Sequence, residues 1–165
     1  MERFVDEEGF LVSKTTTRGV ITYANESFVK IVGAKSMQDL LGKPHNIIRH
    51  ADMPKIAFKY LWDTIQAKNE ANVFVKNVSL DKKDFYWVFA NITPSLDMQG
   101  NIVGYYSVRR KPNPKGVSEI SKIYQRLLEC EHQANGVALA QKTLEGLLKE
   151  NNTTLDALMN ALQNS

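Results

Sequence analysis

Residues 85–110 read FYWVFANITPSLDMQGNIVGYYSVRR. Two runs rich in aromatic and β-branched residues, 85–94 and 101–110, flank the turn-like DMQG at 97–100, so the stretch is predicted to be a β-hairpin. Side chains alternate along a strand. Tyr86, Val88, Ala90 and Ile92 therefore share one face, and Phe85, Trp87, Phe89 and Asn91 share the other. Both faces carry apolar groups, so each needs cover. Just upstream, NVFVKNVSL (72–80) ends at DKKD (81–84), which extends the hairpin to a three-stranded antiparallel meander.

Toward the N-terminus, FLVSK (10–14) and GVITYAN (19–25) surround TTTRG, a Thr- and Gly-rich turn, and predict a second hairpin. Asn25 is placed to cap a short helix, ESFVKIVG, that stops at Gly33. Ser36 starts another, with Met37, Leu40 and Leu41 on one side. Pro54 holds the favoured first position of the longest helix, PKIAFKYLWDTIQA (54–67), which sets Ile56, Tyr60 or Leu61, and Ile65 on one face. Two strands, several short helices and three more strands make an α+β domain over 10–112, since the helices are the available cover for the sheet. Residues 1–9 form an N-terminal cap.

KPNPKG (111–116) interrupts the pattern with two prolines and a glycine, and sets a linker at 113–116. From 117 to 163 the sequence is helix-forming. Spacings of three and four align Ile120, Ile123, Leu127, Cys130, Ala134, Val137, Gln141, Leu144, Leu148, Asn151, Leu155, Leu158 and Leu162. Eleven of these thirteen positions are apolar, the pattern of a coiled-coil or bundle seam. An unbroken helix here would reach ~65 Å, longer than the domain it follows is wide. A long amphipathic helix or helical hairpin that pairs with another helix is therefore expected; the alternative is an amphipathic helix folded back on its own domain. Asn151, in NNTT, either breaks the helix or, like Gln141, fixes its register.

Composition removes several function classes. No stretch approaches the ~18 apolar residues of a membrane span, and the N-terminus lacks the pattern of a secretory leader. Cys130 is the lone cysteine, which excludes an intramolecular disulfide and fits a reducing, cytoplasmic setting. The net charge of +3 is scattered, with RRK at 109–111 as its densest run, so nucleic-acid binding is not expected.

The most concentrated chemistry lies in PHNIIRHADMP (44–54). His45 and His50 are five apart, about 140° around a helix, so they do not converge on a metal. No nucleophile turn, phosphate loop or HExxH motif accompanies them, so catalysis is not expected. A ligand cradle and a structural helix cap remain equally open from the pattern alone.

SKTTTRGVITYANESFVKIVG, LLGKPHNIIRHADMPKIAF and FYWVFANITPSLDMQGNIVGYYSVRR, taken together, resemble a PAS domain of the flavin-binding aerotaxis-sensor type, over nearly all of residues 10–112. The resemblance implies a five-stranded antiparallel sheet with helices over one face and FAD held non-covalently between them. It carries the family's FAD-binding Arg-His-x-Asp onto Arg49, His50 and Asp52, an asparagine onto Asn77 and an aromatic onto Tyr86. It turns the Tyr86 face of the strand toward the pocket. Arg49 then offers a planar fork to pyrophosphate or ring carbonyls, with Asp52 supporting Arg49 or His50. His45 stands where light-sensing flavin PAS domains carry their reactive cysteine, and Cys130 lies outside that segment, so redox sensing is implied rather than photochemistry. Ser107, on the inner face of the last strand, Asn25 and Trp62 complete the candidate cofactor contacts. Where Glu70-Ala71 stands the energy-sensor family has Pro-Trp, so by the resemblance an aromatic wall is expected to be missing.

By the same resemblance the chain is expected to be the soluble half of a two-part energy-taxis receptor. Too little sequence follows the sensor for a signalling output. The expected partner is a membrane-bound methyl-accepting chemoreceptor lacking its own sensor domain, which recruits the cytoplasmic chain to the inner membrane. A homodimer through the PAS face or the C-terminal helix is also expected. The competing reading is a cofactor-free PAS adaptor.

Overall fold

The computed structural model describes residues 1–165. In chain order the elements are β1 (Glu2–Arg3), β2 (Leu11–Thr15), β3 (Ile21–Ala24), α1 (Glu26–Ile31), α2 (Lys55–Gln66), β4 (Ala71–Val78), β5 (Phe85–Leu96), β6 (Ile102–Arg110), α3 (Pro114–Glu131), α4 (Gly136–Glu150) and α5 (Leu155–Gln163). Two short 3-10 turns, Met37–Asp39 and His45–Ile48, lie between α1 and α2.

Both predicted hairpins form, and the chain is an α+β protein with a curled sheet. The strand order is β3-β2-β6-β5-β4, all antiparallel, with β1 adding a short parallel pairing to the start of β5. Register decides which side chains meet. Asn77 lies opposite Tyr86, Ala90 opposite Arg109, Ile92 opposite Ser107, and Ser13 opposite Ser107 on its other side. One face of the sheet thus gathers Asn77, Tyr86, Ala90, Ile92, Ser107, Arg109 and Ser13.

That inner face is roofed by α1, the 3-10 turns and α2. Asn25 caps α1 as its position suggested: its Oδ1 accepts from the amides of Phe28 (3.1 Å) and Val12 (3.0 Å), and its Nδ2 donates to the Phe10 carbonyl. Helix α2 starts one residue later than the sequence implied, with Pro54 as the N-cap, and buries Ile56, Ala57 and Ile65.

The outer face is covered by the C-terminal helices. Trp87 stacks on Tyr124 of α3 at 6.3 Å with planes 15° apart, and Phe74 and Phe89 pack edge to face beneath them at 5.0 Å. Gly116 permits this approach, since a Cβ there would lie 2.7 Å from the Leu162 carbonyl and 2.8 Å from the Phe74 ring. The seam residues Ile120, Leu127, Leu144 and Leu148 and the neighbouring Ala140 and Met159 are buried in one cluster with the sheet's own core.

A single long helix does not form. The chain turns back at residues 132–135, where Asn135 adopts a left-handed conformation (φ 57°), and again at Asn151-Asn152, where Asn152 is left-handed (φ 48°). Heptad spacing is a property of any buried helical stripe. Here it is satisfied inside the chain, so the tail is a helical hairpin with a short third helix rather than an extended coiled-coil strand.

The tail also seals an exposed strand edge. On the side of β4 away from β5, the Asn72 amide donates to Asp156 (3.2 Å) and the Phe74 carbonyl accepts from the Tyr124 hydroxyl (2.7 Å). Further along, the Lys76 amide donates to Met53 Sδ and its carbonyl accepts from the His50 amide. Edge groups left open would invite pairing with another chain. Replacing Tyr124 with Phe strands a buried carbonyl and is expected to cost about 1–3 kcal/mol, read as a lower urea midpoint with unchanged denaturant dependence.

Candidate functional site

Between the inner sheet face and its helical roof lies a cavity of about 190 Å³, room for on the order of a dozen water molecules. From the roof, α2 contributes Phe58, Leu61, Trp62 and Ile65, which recur at three- and four-residue spacing along one side of the helix. The 3-10 segment contributes His45 and Asn46, followed by Arg49, and the β2–β3 turn contributes Arg18 and Gly19. The floor is Val75 and Asn77 of β4, Ala90 and Ile92 of β5, and Tyr105, Ser107 and Arg109 of β6.

Three arginines line this space at three depths and no carboxylate does. Arg18 is exposed at the mouth, Arg49 is intermediate, and Arg109 is 2% exposed on the floor. The Arg49 guanidinium stacks on the Phe58 ring at 3.5 Å, and its buried Nε has no hydrogen-bond partner. Arg109 is held against Phe28, 4.3 Å from the ring centre. Its Nη1 donates to His45 Nε2 (2.9 Å) and Ser107 Oγ (3.2 Å), while Nε and Nη2 are buried without partners. Burial pulls its pKa down to about 10, which leaves it charged at neutral pH.

Arginine N–H groups only donate, so Nε2 of His45 accepts, and the neutral ring carries its proton on Nδ1. Ser13 Oγ lies 2.9 Å from the same nitrogen. Burial first, and then the adjacent Arg109, hold the His45 pKa down to about 3. The floor is consequently a fixed cation with a neutral imidazole beside it.

The structure brings together His45, Arg49, Trp62, Asn77 and Ser107 of the sequence candidates. The others lie outside the cavity lining. Asn25 is committed to capping α1. Tyr86 is fully buried in the sheet opposite Asn77, with a hydroxyl that has no hydrogen-bond partner. His50 packs edge to face against Phe85, and its Nδ1 accepts from the Asp52 amide (3.0 Å). Asp52 is turned outward and bonds Lys76 Nζ at 2.7 Å, which holds its carboxyl below the usual carboxylate range. The segment after Arg49 therefore staples itself to the edge of β4, and Arg49 pairs as a backbone bridge with Asn77. That fastening positions the guanidinium at the cavity.

The missing tryptophan at Ala71 is offset from the roof. Ala71 packs with Ile65 and Tyr105, and Trp62 stands edge to face on Tyr105 at 5.4 Å. The cavity keeps an aromatic wall, supplied by α2.

Comparison with known proteins places this architecture. Residues 1–110 match the PAS fold family, and the chain belongs to it. It is 38% identical over 117 residues to the aerotaxis receptor of Escherichia coli (strain K12), a match covering 71% of this chain and 22% of that receptor. The chain thus spans about a fifth of its curated relative. Among solved structures it resembles a light-oxygen-voltage domain studied with a flavin analogue (TM-score 0.60, 18% identity, covering 68% of this chain and 84% of that one). It also resembles the dark structure of the blue-light photoreceptor Aureochrome1 LOV (TM-score 0.58, 20% identity, 74% and 86% covered). At these identities the solved structures speak for the fold. No helix is long and apolar enough to cross a membrane.

Proposed function

We propose that the protein is a redox sensor for energy taxis that holds FAD non-covalently in this cavity and passes its redox state to a separate membrane-bound methyl-accepting chemoreceptor. The observation that carries the reading is the cavity itself: three arginines, no carboxylate, and buried guanidinium nitrogens without partners. Buried cationic donors are costly unless an electron-rich ligand meets them. The similarity to an aerotaxis receptor supports the same conclusion.

The donor set suits a flavin dinucleotide. Arg49 and Arg18, toward the mouth, match a pyrophosphate. Asn77, Ser107 and Arg109 offer donors and acceptors for the polar edge of the ring, while Trp62, Phe58, Ile92 and Ala90 supply apolar walls. Bound there, the isoalloxazine would supply electron-transfer chemistry. The protein's own part is to orient the ring, keep the floor cationic, and keep His45 neutral so that no proton is released from it on the cavity floor.

Arg49→Ala is expected to weaken FAD binding about tenfold or more with little change in folding, since the side chain makes no structural hydrogen bond. Purified protein absorbing near the flavin bands, and titration of the variant against the wild type, test this. A folded wild-type protein that takes up no flavin on reconstitution would overturn the sensor reading and leave the adaptor.

A further inference from the structure

The first amides of α2 are capped from the far end of the chain. Pro54 offers no capping side chain. Instead the Lys55 amide donates to Glu131 Oε2 (2.9 Å) and the Ile56 amide to Glu131 Oε1 (2.8 Å). Each oxygen of one carboxylate takes one of the free N–H groups at the positive end of the helix, the geometry in which such a bond is strongest.

Glu131 is the last residue of α3, and its own position is fixed by the turn that follows. A Cβ on Gly136 would lie 2.1 Å from the Glu131 carbonyl oxygen, so the chain reverses tightly against that residue before α4 begins. Helix α4 then packs along α3 and touches α2. Meanwhile the opposite side of α2 carries Phe58, Leu61 and Trp62 into the cavity. One carboxylate therefore joins a wall of the cavity to the hinge of the tail.

We propose that Glu131 is the coupling contact of the sensor: a change in the seating of α2 is transmitted through this cap to the docking of α4 on the domain. Hydrogen bonds of this kind weaken steeply with angle, so a shift of α2 that keeps the tail in place loses one or both bonds. The tail and the roof are then two positions of one element, biased by whatever fills the cavity. Flavin as the natural input rests on the function proposed above; the coupling contact itself does not.

The test uses the full chain without ligand and reads amide hydrogen exchange, with the β2 and β6 amides as internal reference. Glu131→Gln leaves a single acceptor oxygen. Lys55→Pro removes one donor at a helix position that favours proline, with the contact's other partner untouched. Each is expected to raise exchange several-fold both at residues 56–58 and in α4, and the double variant to add little to either, because both cut the same contact. Trp62→Ala, which alters the cavity wall, is expected to raise α4 exchange in the wild-type background and not in Glu131→Gln. Loosening confined to 56–58, or an α4 response to Trp62→Ala that persists in Glu131→Gln, overturns the proposal. Adding FAD separates the two readings. If FAD binds, α4 exchange is expected to change in the wild type and not in Glu131→Gln, and an unchanged wild type overturns the coupling. If none binds, the flavin reading falls while the ligand-free comparison still decides the contact.

Discussion

Arg109→Met is expected to leave a protein that is as stable as the wild type or more so, and that has lost most of its affinity for flavin. The two halves of this result come from the same buried guanidinium. Its Nε and Nη2 have no partners, no carboxylate lines the cavity, and its compensation is limited to His45, Ser107 and the face of Phe28. Methionine fills a similar unbranched volume without a charge to desolvate. Replacing buried ionic groups by apolar side chains of similar size is often neutral or stabilising by about 1–4 kcal/mol. His45 keeps the Ser13 hydroxyl as a partner for Nε2.

Binding should move the other way. A hydrogen bond from a charged donor contributes roughly 1.5–3 kcal/mol, so its loss weakens flavin binding about ten- to a hundredfold. Urea denaturation of the ligand-free protein and flavin titration followed by absorbance give the two values. A variant that is several kcal/mol less stable yet holds flavin as before would make Arg109 a structural residue and remove the strongest support for the cavity's role.

How much of this was legible in the sequence depends on which physical signal each residue carried. The near-continuous bulky run at 85–94 marks a strand covered on both sides, and the alternating direction of successive side chains sorts it into the two faces that the structure shows. The same rule carried the clue to Arg109. Ser107 falls on the inner face of its strand, and the residue two further along shares that face. The charge was hidden by its surroundings, since Arg109 opens RRK at the end of the domain and such a run normally reads as solvated surface. His50 and Asp52 show the reverse. Their residue types suggest ligand contact, yet their bonds go to the edge of β4, a role set by strand neighbours that lie more than twenty residues away. For the tail, periodicity identifies the buried stripe but runs through Asn151 without marking a break there. It carried no information on which surface buries that stripe, and the reversal at Asn135-Gly136 depends on backbone conformations that leave no apolar signature.

Acidification is the second large effect. His45 in the folded protein takes up a proton only near pH 3, whereas in the unfolded chain it does so near 6.5. Between those values the unfolded state holds more protons, so stability falls as the pH is lowered through the window and is unaffected by this group above it. The limiting slope is about 1.4 kcal/mol per pH unit for one proton, which amounts to several kcal/mol by pH 4. His50, also lowered by burial and by Lys76, acts in the same direction. The ion pairs of Asp52 and Asp84 stabilise the fold above the ordinary carboxylate pKa and are lost only as pH falls below it, so the region from pH 6.5 to 4.5 isolates the histidines. His45→Gln keeps an acceptor for Arg109 and removes the titration. Its urea-derived stability is expected to be flatter than the wild type's across that region, and the two curves should converge in shape above pH 7. Parallel curves throughout would mean that His45 is protonated in the folded state at mild pH, which would put two cations side by side on the cavity floor and require a different ligand charge to balance them.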